Sequence, residues 1–118
     1  VAEDDDSNFK LIKAIIGKKC DIQWAKNGEE IVALFKEYGK EAKAILMDIK
    51  MPVMNGLDAT KIIREENKEI PIIMQTAYAF SSDKENAMNA GASEVLVKPI
   101  TLSILRGTLT KYFPELVW

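Results

Sequence analysis

The sequence predicts an α/β domain with a doubly wound parallel sheet, and two features of its pattern lead to this fold class. Short apolar runs rich in Val, Ile and Leu alternate with longer amphipathic runs along the chain of 118 residues. Short, continuously apolar strands are typical of a parallel sheet that is buried on both faces. Strands that alternate with helices form βαβ units, whose right-handed crossovers place helices on both sides of the sheet. No linker or repeat divides the chain, so residues 1–118 are expected to form one domain.

Five short apolar segments are the predicted strands. They are residues 1–2, 22–24, 44–47, 72–75 and 95–97. The expected strand order is 2-1-3-4-5, the flavodoxin-like order, in which the first strand is central. Two residues are few for a central strand, so we expect the first strand to be truncated at the amino terminus.

Apolar residues at helical spacing mark a helix after each strand. Ser7 is the expected N-cap of the first helix, and Gly91 is the expected end of the fourth. Because the apolar residues of the final segment also recur at helical spacing, they are expected in the core, and they are Ile100, Leu102, Leu105 and Leu109.

Composition excludes several functional classes. The chain has no histidine, which removes Ser-His-Asp and Cys-His catalysis and the common zinc sites. A formal net charge of -2 gives no basic footprint, so no direct contact with nucleic acid is expected. No apolar run approaches the ~18 residues of a membrane span, so no membrane contact is expected from this domain. The lone Cys20 is expected to pack as a small apolar residue.

Polar residues follow four of the predicted strands at the point where each ends. The acidic run 3–6 follows the first strand, Asp48 ends the third, Thr76 ends the fourth and Lys98 ends the fifth. Ligands of open α/β sheets bind beyond these carboxyl ends. A carboxylate cluster without histidine suits a hard cation such as Mg²⁺, and a carboxylate can also be the nucleophile that forms an acyl phosphate. Each residue alone also fits an ordinary turn, cap or loop, but their joint placement favours a site.

Four segments of the chain resemble motifs of the receiver domains of two-component response regulators, in the order of that family. They are "VAEDDDSN", "MDIKMPVMNG", "QTAYA" and "VLVKPI", and they are most similar to receivers of hybrid sensor histidine kinases. The resemblance implies a phosphoacceptor signalling switch that takes its phosphoryl group from a histidine kinase or a histidine phosphotransfer domain. It also implies a cytoplasmic location, which includes the cytoplasmic part of a membrane-anchored parent. A homodimer through the final strand and helix is a further option.

The same resemblance assigns roles to individual residues. Asp48 would be the phosphoacceptor, and Glu3 and Asp4 would hold Mg²⁺, or Mn²⁺, together with Asp48 and the backbone carbonyl of Lys50. Asp5 competes for a place in the acidic pair, and the spacing from Glu3-Asp4 to the following asparagine favours that pair.

Three further residues have roles implied by the resemblance. Thr76 and the Ala77 N–H would bind the phosphoryl group and Lys98 would pair with it, with a cis peptide bond between Lys98 and Pro99. The domain would thus promote its own Mg²⁺-dependent phosphorylation and dephosphorylation without being a free-standing enzyme.

One position departs from the family pattern, and two others bear on the lifetime of the phosphoryl group. Val95 stands where the family usually has an aromatic residue that changes rotamer together with the threonine, and a valine cannot act as a rotating ring. Lys50 and Tyr78 occupy positions that, in the family that the chain resembles, tune autodephosphorylation, and both are bulky, which predicts a long-lived phosphoryl group. Phosphorylation is expected to act on residues 77–89 and on the final strand-helix pair.

Three alternatives remain open. A receiver-like interaction module that is not phosphorylated is favoured only by Val95. A phosphatase or phosphotransferase of the haloacid dehalogenase type requires a second aspartate where this chain has Lys50. A flavin-binding flavodoxin shares the topology, but acids replace its phosphate-binding loop after the first strand.

Overall fold

A computed structural model describes residues 1–77 and 82–115, and from residue 45 onward strands and helices alternate as predicted. The helices are α1 (Asp6–Ile16), α2 (Gly28–Tyr38), α3 (Gly56–Glu66), α4 (Asp83–Ala90) and α5 (Leu102–Tyr112). The strands are β1 (Ile45–Asp48), β2 (Ile72–Thr76) and β3 (Glu94–Val97).

All pairing in the sheet is parallel. β1 pairs with β2, where Asp48 lies opposite Gln75, and β2 pairs with β3, where Thr76 lies opposite Val97. The register brings the carboxyl ends of the three strands to one edge of the sheet, as the prediction of a doubly wound sheet requires.

The first two predicted strands are reduced to single bridges. Ala2 bridges in parallel to Ala25 on one side and to Met47 on the other, which gives the expected order 2-1-3-4-5 at that level of the sheet. Residues 1–2 and 22–24 are not strands within the described part of the chain, and the second bridge lies at Ala25, just beyond the predicted segment. Asp5 already caps α1 three residues after Ala2, so the pairing cannot extend further in that direction.

Side chains alternate between two cores on opposite faces of the sheet. One core joins Ile45, Met47, Ile72 and Met74 to residues of α2, α3 and α4. The other joins Leu46 and Ile73 to Ile12 and Ile16 of α1 and to Leu105 and Leu109 of α5. Helices therefore cover both faces, which confirms the predicted fold class.

Two helix boundaries test the predicted caps. Gly91 ends α4 in the left-handed region with a φ of 116°, as expected. The prediction that Ser7 caps α1 is wrong, because the Asp5 side chain accepts hydrogen bonds from the N–H groups of Ser7 and Asn8. The Asp5 carboxylate satisfies two of the donors at the helix start that have no partner within the helix, and the helix begins at Asp6.

Two expectations about burial are also wrong. Leu102 is 43% exposed, while Ile100, Leu105 and Leu109 are buried as expected. Leu102 shares a helical face with Leu105 and Leu109, at i+3 and i+7 spacing, but it is the first residue of α5, so it is exposed at the end of the helix rather than covered by the core. Cys20 is exposed, because it lies in the turn after α1 rather than in the core.

Within residues 1–77 and 82–115, no helix is long and apolar enough to cross a membrane.

Candidate functional site

The end of β1 is held in a close turn that aims the chain at the carboxyl edge of the sheet. The N–H of Gly56 donates to the carbonyl oxygen of Ile49 over 2.8 Å. A Cβ atom on residue 56 would collide with the carbonyl oxygen of Asp48, so only glycine allows α3 to start this close to the strand. The Asn55 side chain caps α3 by accepting from the N–H of Asp58. This turn fixes the position of Asp48.

Three carboxylates meet at this edge. One oxygen from each of Glu3, Asp4 and Asp48 lies within 4.8 Å of the other two. Glu3 is fully buried and Asp48 is 5% exposed, while Asp4 opens to solvent. Asp5 turns away to cap α1, so the geometry groups Glu3 and Asp4, and not Asp5, with Asp48. A cluster of carboxylate oxygens open on one side matches the ligands that Mg²⁺ takes.

Lys98 supplies positive charge to the site. Its Nζ lies 2.8 Å from Asp48 Oδ2 and 3.6 Å from Glu3 Oε1. The Lys98–Pro99 peptide bond is cis, as predicted. Burial alone would lower the pKa of the Lys98 ammonium, but the hydrogen bond that it donates to Asp48 and the attraction of both carboxylates outweigh burial and raise the pKa. The ammonium therefore stays charged beside the two acids.

Thr76 ends β2 next to this cluster and is 2% exposed. Its hydroxyl donates to Asp83 Oδ2, in the first turn of α4, over 3.4 Å. Its carbonyl oxygen accepts from the Lys98 N–H over 2.7 Å, which ties the end of β2 to the lysine. Ala77 follows as an exposed residue, and Tyr78 lies outside the described residues.

Glu3 is held by two amide side chains. Asn8 Nδ2 donates to Glu3 Oε2 over 2.8 Å, and Gln75 Nε2 approaches the same oxygen at 3.4 Å. Burial is the main cause that raises the pKa of the Glu3 carboxyl, and the negative charge of Asp48 adds to it, while Asn8 and Lys98 oppose the rise. Neither Asn8 nor Gln75 was predicted from the sequence as a site residue. The one available signal was for Gln75, the amide that interrupts the apolar run "IIMQT".

An aromatic pair beside Glu3 was also not predicted from the sequence. Trp24 Nε1 donates to the Glu3 carbonyl oxygen over 2.8 Å. The indole stacks on Phe9 with a centroid distance of 3.9 Å, and Lys26 Nζ lies 4.8 Å from the Trp24 ring centroid. The hydrogen bond from Trp24 fixes the backbone that carries the acidic pair.

The structure thus brings Glu3, Asp4, Asp48 and Lys98 together, with Thr76 and Ala77 at the adjacent strand end. Lys50 is exposed in the turn after β1. Val95 is partly buried in β3 and packs against the core that contains α2, α3 and α4.

Comparison with known proteins identifies the family. The family described as "Response regulator receiver domain" matches residues 1–110, and this chain belongs to it. The chain is 41% identical to "Hybrid signal transduction histidine kinase I" of Dictyostelium discoideum over an alignment 127 residues long. This alignment covers 98% of this chain and 7% of that protein.

Two solved structures with 30% sequence identity share the fold. The receiver domain of the sensor histidine kinase PA1611 from Pseudomonas aeruginosa PAO1, with a magnesium ion coordinated in its active site cleft, has a TM-score of 0.81 over 96% of this chain and 93% of its own. The receiver domain of Ssk1 from Saccharomyces cerevisiae, crystallised with the histidine phosphotransfer protein Ypd1, gives 0.86 over 98% of this chain and 89% of that chain. The flavodoxin-like fold is shared with these receiver domains.

Proposed function

We propose that this receiver domain is a phosphoacceptor switch whose acceptor is Asp48. The observation that carries the proposal is the nearly buried Asp48 carboxylate, which lies within 4.8 Å of Glu3 and Asp4 oxygens and 2.8 Å from Lys98 Nζ. A nucleophilic carboxylate, a cationic side chain and additional carboxylates for a metal are the groups that phosphoryl transfer requires.

The proposed step transfers a phosphoryl group from a phosphohistidine to Asp48. An Asp48 carboxylate oxygen forms the new P–O bond, the P–N bond breaks, and the imidazole leaves as the neutral ring, which keeps the proton that its second nitrogen already carried in the phosphohistidine. Bound Mg²⁺, or Mn²⁺, would neutralise charge on the phosphoryl oxygens. Glu3, Asp4, Asp48 and the carbonyl of Lys50 would hold the ion.

The remaining residues of the site would bind the phosphoryl group itself. The Lys98 ammonium would neutralise charge on one of its oxygens, and the Thr76 hydroxyl and the Ala77 N–H would donate hydrogen bonds. Lys98 is already charged and already at the acceptor, so little rearrangement of the lysine is needed.

The switch would operate through Thr76. Its hydroxyl donates to Asp83 at the start of α4, and a phosphoryl group on Asp48 would compete for the same proton. Phosphorylation adds roughly two negative charges at Asp48. We expect α4, β3 and α5 to form the surface that responds.

A histidine phosphotransfer domain or a histidine kinase would be the donor. The co-crystal of the Ssk1 receiver domain with Ypd1 supports the first, and the similarity to hybrid histidine kinases supports the second and a hybrid kinase as the parent. The chain spans 7% of the length of its Dictyostelium relative, so the activity of a whole parent is itself a proposal. The cytoplasmic location and a homodimer through β3 and α5 stay predictions.

The test is intact-mass spectrometry after incubation with acetyl phosphate, with Mg²⁺ or with EDTA. The wild-type domain should gain one phosphoryl mass only with Mg²⁺, and Asp48→Asn should gain none. A folded wild-type domain that gains no mass with Mg²⁺ present would support the interaction module instead.

A further inference from the structure

We infer that Asn8 and Gln75 are positioning residues that act on the metal site through Glu3, an inference that rests on the proposed function. Gln75 is 1% exposed in the middle strand of the three-stranded sheet, a place where apolar side chains are the rule. A buried amide in such a place lowers stability unless its polar atoms are bonded. The partners of this amide are Glu3 and Asn8.

The three side chains form a closed ring of hydrogen bonds. Asn8 Nδ2 donates to Glu3 Oε2 over 2.8 Å and to Gln75 Oε1 over 3.2 Å. Because the Gln75 oxygen is engaged by Asn8, its Nε2 faces Glu3 Oε2, at 3.4 Å. Both amides thus present N–H groups to the same carboxylate oxygen.

The two oxygens of Glu3 have different partners in this ring. Oε2 faces the amide pair, while Oε1 lies 3.6 Å from Lys98 Nζ and 3.2 Å from the Asp5 nitrogen. With Oε2 held, the carboxylate cannot rotate freely, and Oε1 is presented to the Asp48 side of the site. Hydrogen bonds that orient a metal-binding carboxylate in this way contribute to metal affinity.

The Glu3 side chain is long enough to reach both amide side chains. Its backbone is fixed by Trp24 Nε1, and its side chain reaches from that point to residues on α1 and on β2. The amide pair therefore couples the start of α1 and the end of β2 to the carboxylate.

Free Mn²⁺ measured by electron paramagnetic resonance gives a direct reading of metal affinity without phosphoryl transfer. Gln75→Met keeps the length of the side chain and removes the amide, and should weaken Mn²⁺ binding about 10-fold. In a Glu3→Gln background the same substitution should have little further effect, because the carboxylate through which it acts is gone. Asn8→Ala, at a half-buried position, should show the same dependence on Glu3 and provides a second variant if Gln75→Met does not fold.

Thr60→Val is the matched control. Thr60 is also fully buried, but its hydroxyl points to Met74 Sδ, 3.6 Å away, on the face that carries α3. Thr60→Val should leave Mn²⁺ affinity unchanged, and urea unfolding of each variant separates loss of affinity from loss of folding.

Two results would overturn the inference. If Gln75→Met and Asn8→Ala keep wild-type Mn²⁺ affinity, the amides do not serve the metal site. An equal loss of affinity in the wild-type and Glu3→Gln backgrounds would show that they act through packing alone. In both cases the wild-type domain still binds Mn²⁺ and accepts phosphate, so the proposed function stands. A wild-type domain that binds no Mn²⁺ contradicts both the proposed function and the inference.

Discussion

The two edges of the sheet carry polar networks of opposite character. At the carboxyl edge, Glu3, Asp4 and Asp48 form a cluster of carboxylates, and the ammonium group of Lys98 lies beside Glu3 and Asp48. At the amino edge, the strand starts are joined by a second network, which we call the amino-edge network and which comprises Arg64, Ser93, Glu94, Lys111 and Tyr112.

The amino-edge network is balanced. Arg64 Nε donates to the Gly91 carbonyl over 2.8 Å, and its Nη2 lies 3.3 Å from Ser93 Oγ. The same Ser93 oxygen accepts from the Ile72 N–H at the start of β2. Glu94 accepts from Lys111 and from the Tyr112 hydroxyl, each over 3.0 Å. Each charge in this network faces an opposite charge or a backbone dipole.

The cluster at the carboxyl edge has more acids than Lys98 can neutralise, and two of these acids are removed from water. Such an arrangement lowers stability, and folded proteins retain it where function requires it. Folding alone explains the amino-edge network, whereas the carboxyl edge is explained by a cation and a phosphoryl group that it would bind.

The largest expected difference between substitutions at the two edges of the sheet is in the rate of phosphorylation. Lys98→Met removes the ammonium group that contacts Asp48 and should slow phosphorylation by acetyl phosphate about 100-fold, since preorganised charge at the reacting group is lost. Time-resolved intact-mass spectrometry measures the rate. Lys111→Met removes a lysine from the amino-edge network and should leave the rate at the wild-type value. Equal rates for the two variants would contradict the role of Lys98.

Arg64→Met should disrupt the amino-edge network, and its effect should be on stability and not on the metal site. It removes charge-assisted hydrogen bonds to backbone carbonyls of residues 67 and 91, and should lower the free energy of unfolding by about 2–3 kcal/mol. Urea denaturation measures this loss, and Mn²⁺ affinity should not change. If Arg64→Met is as stable as a variant at the exposed Lys68, the amino-edge network contributes nothing to stability.

Alanine substitutions at two glycines should change the free energy of unfolding in opposite directions. Gly107 lies inside α5, where an added Cβ atom would have no neighbour within 4 Å, so Gly107→Ala should raise the free energy of unfolding by roughly 0.5–1 kcal/mol. Gly56→Ala should lower it by about 1–3 kcal/mol, because the methyl group meets the Asp48 carbonyl oxygen. Thermal and urea unfolding give both signs, and a stabilised Gly56→Ala would refute the close approach at the end of β1.

The sequence was sufficient for the order of elements and for the position of Asp48, because β1 is continuously apolar and ends at one carboxylate. It was insufficient for the first two strands, since pairing over a single residue leaves no period to detect. The cap of α1 was misassigned because four acidic residues and Ser7 compete within one turn, and hydrogen-bond geometry decides among them.

The supporting residues of the site were the hardest to predict. Gln75 and Asn8 are 67 positions apart, and Trp24 lies 21 positions from the carbonyl to which it donates. Such partners meet only through the fold, and no local pattern indicates them.

The most direct test of the central claim locates the phosphoryl group on the chain. The domain is phosphorylated with acetyl phosphate and Mg²⁺ and then treated with borohydride, which reduces an acyl phosphate to an alcohol. Peptide sequencing by mass spectrometry should find homoserine at position 48 and at no other aspartate. Reduction at position 4 or 5 with Asp48 intact, or no reduction in a protein that binds Mn²⁺, would contradict Asp48 as the acceptor.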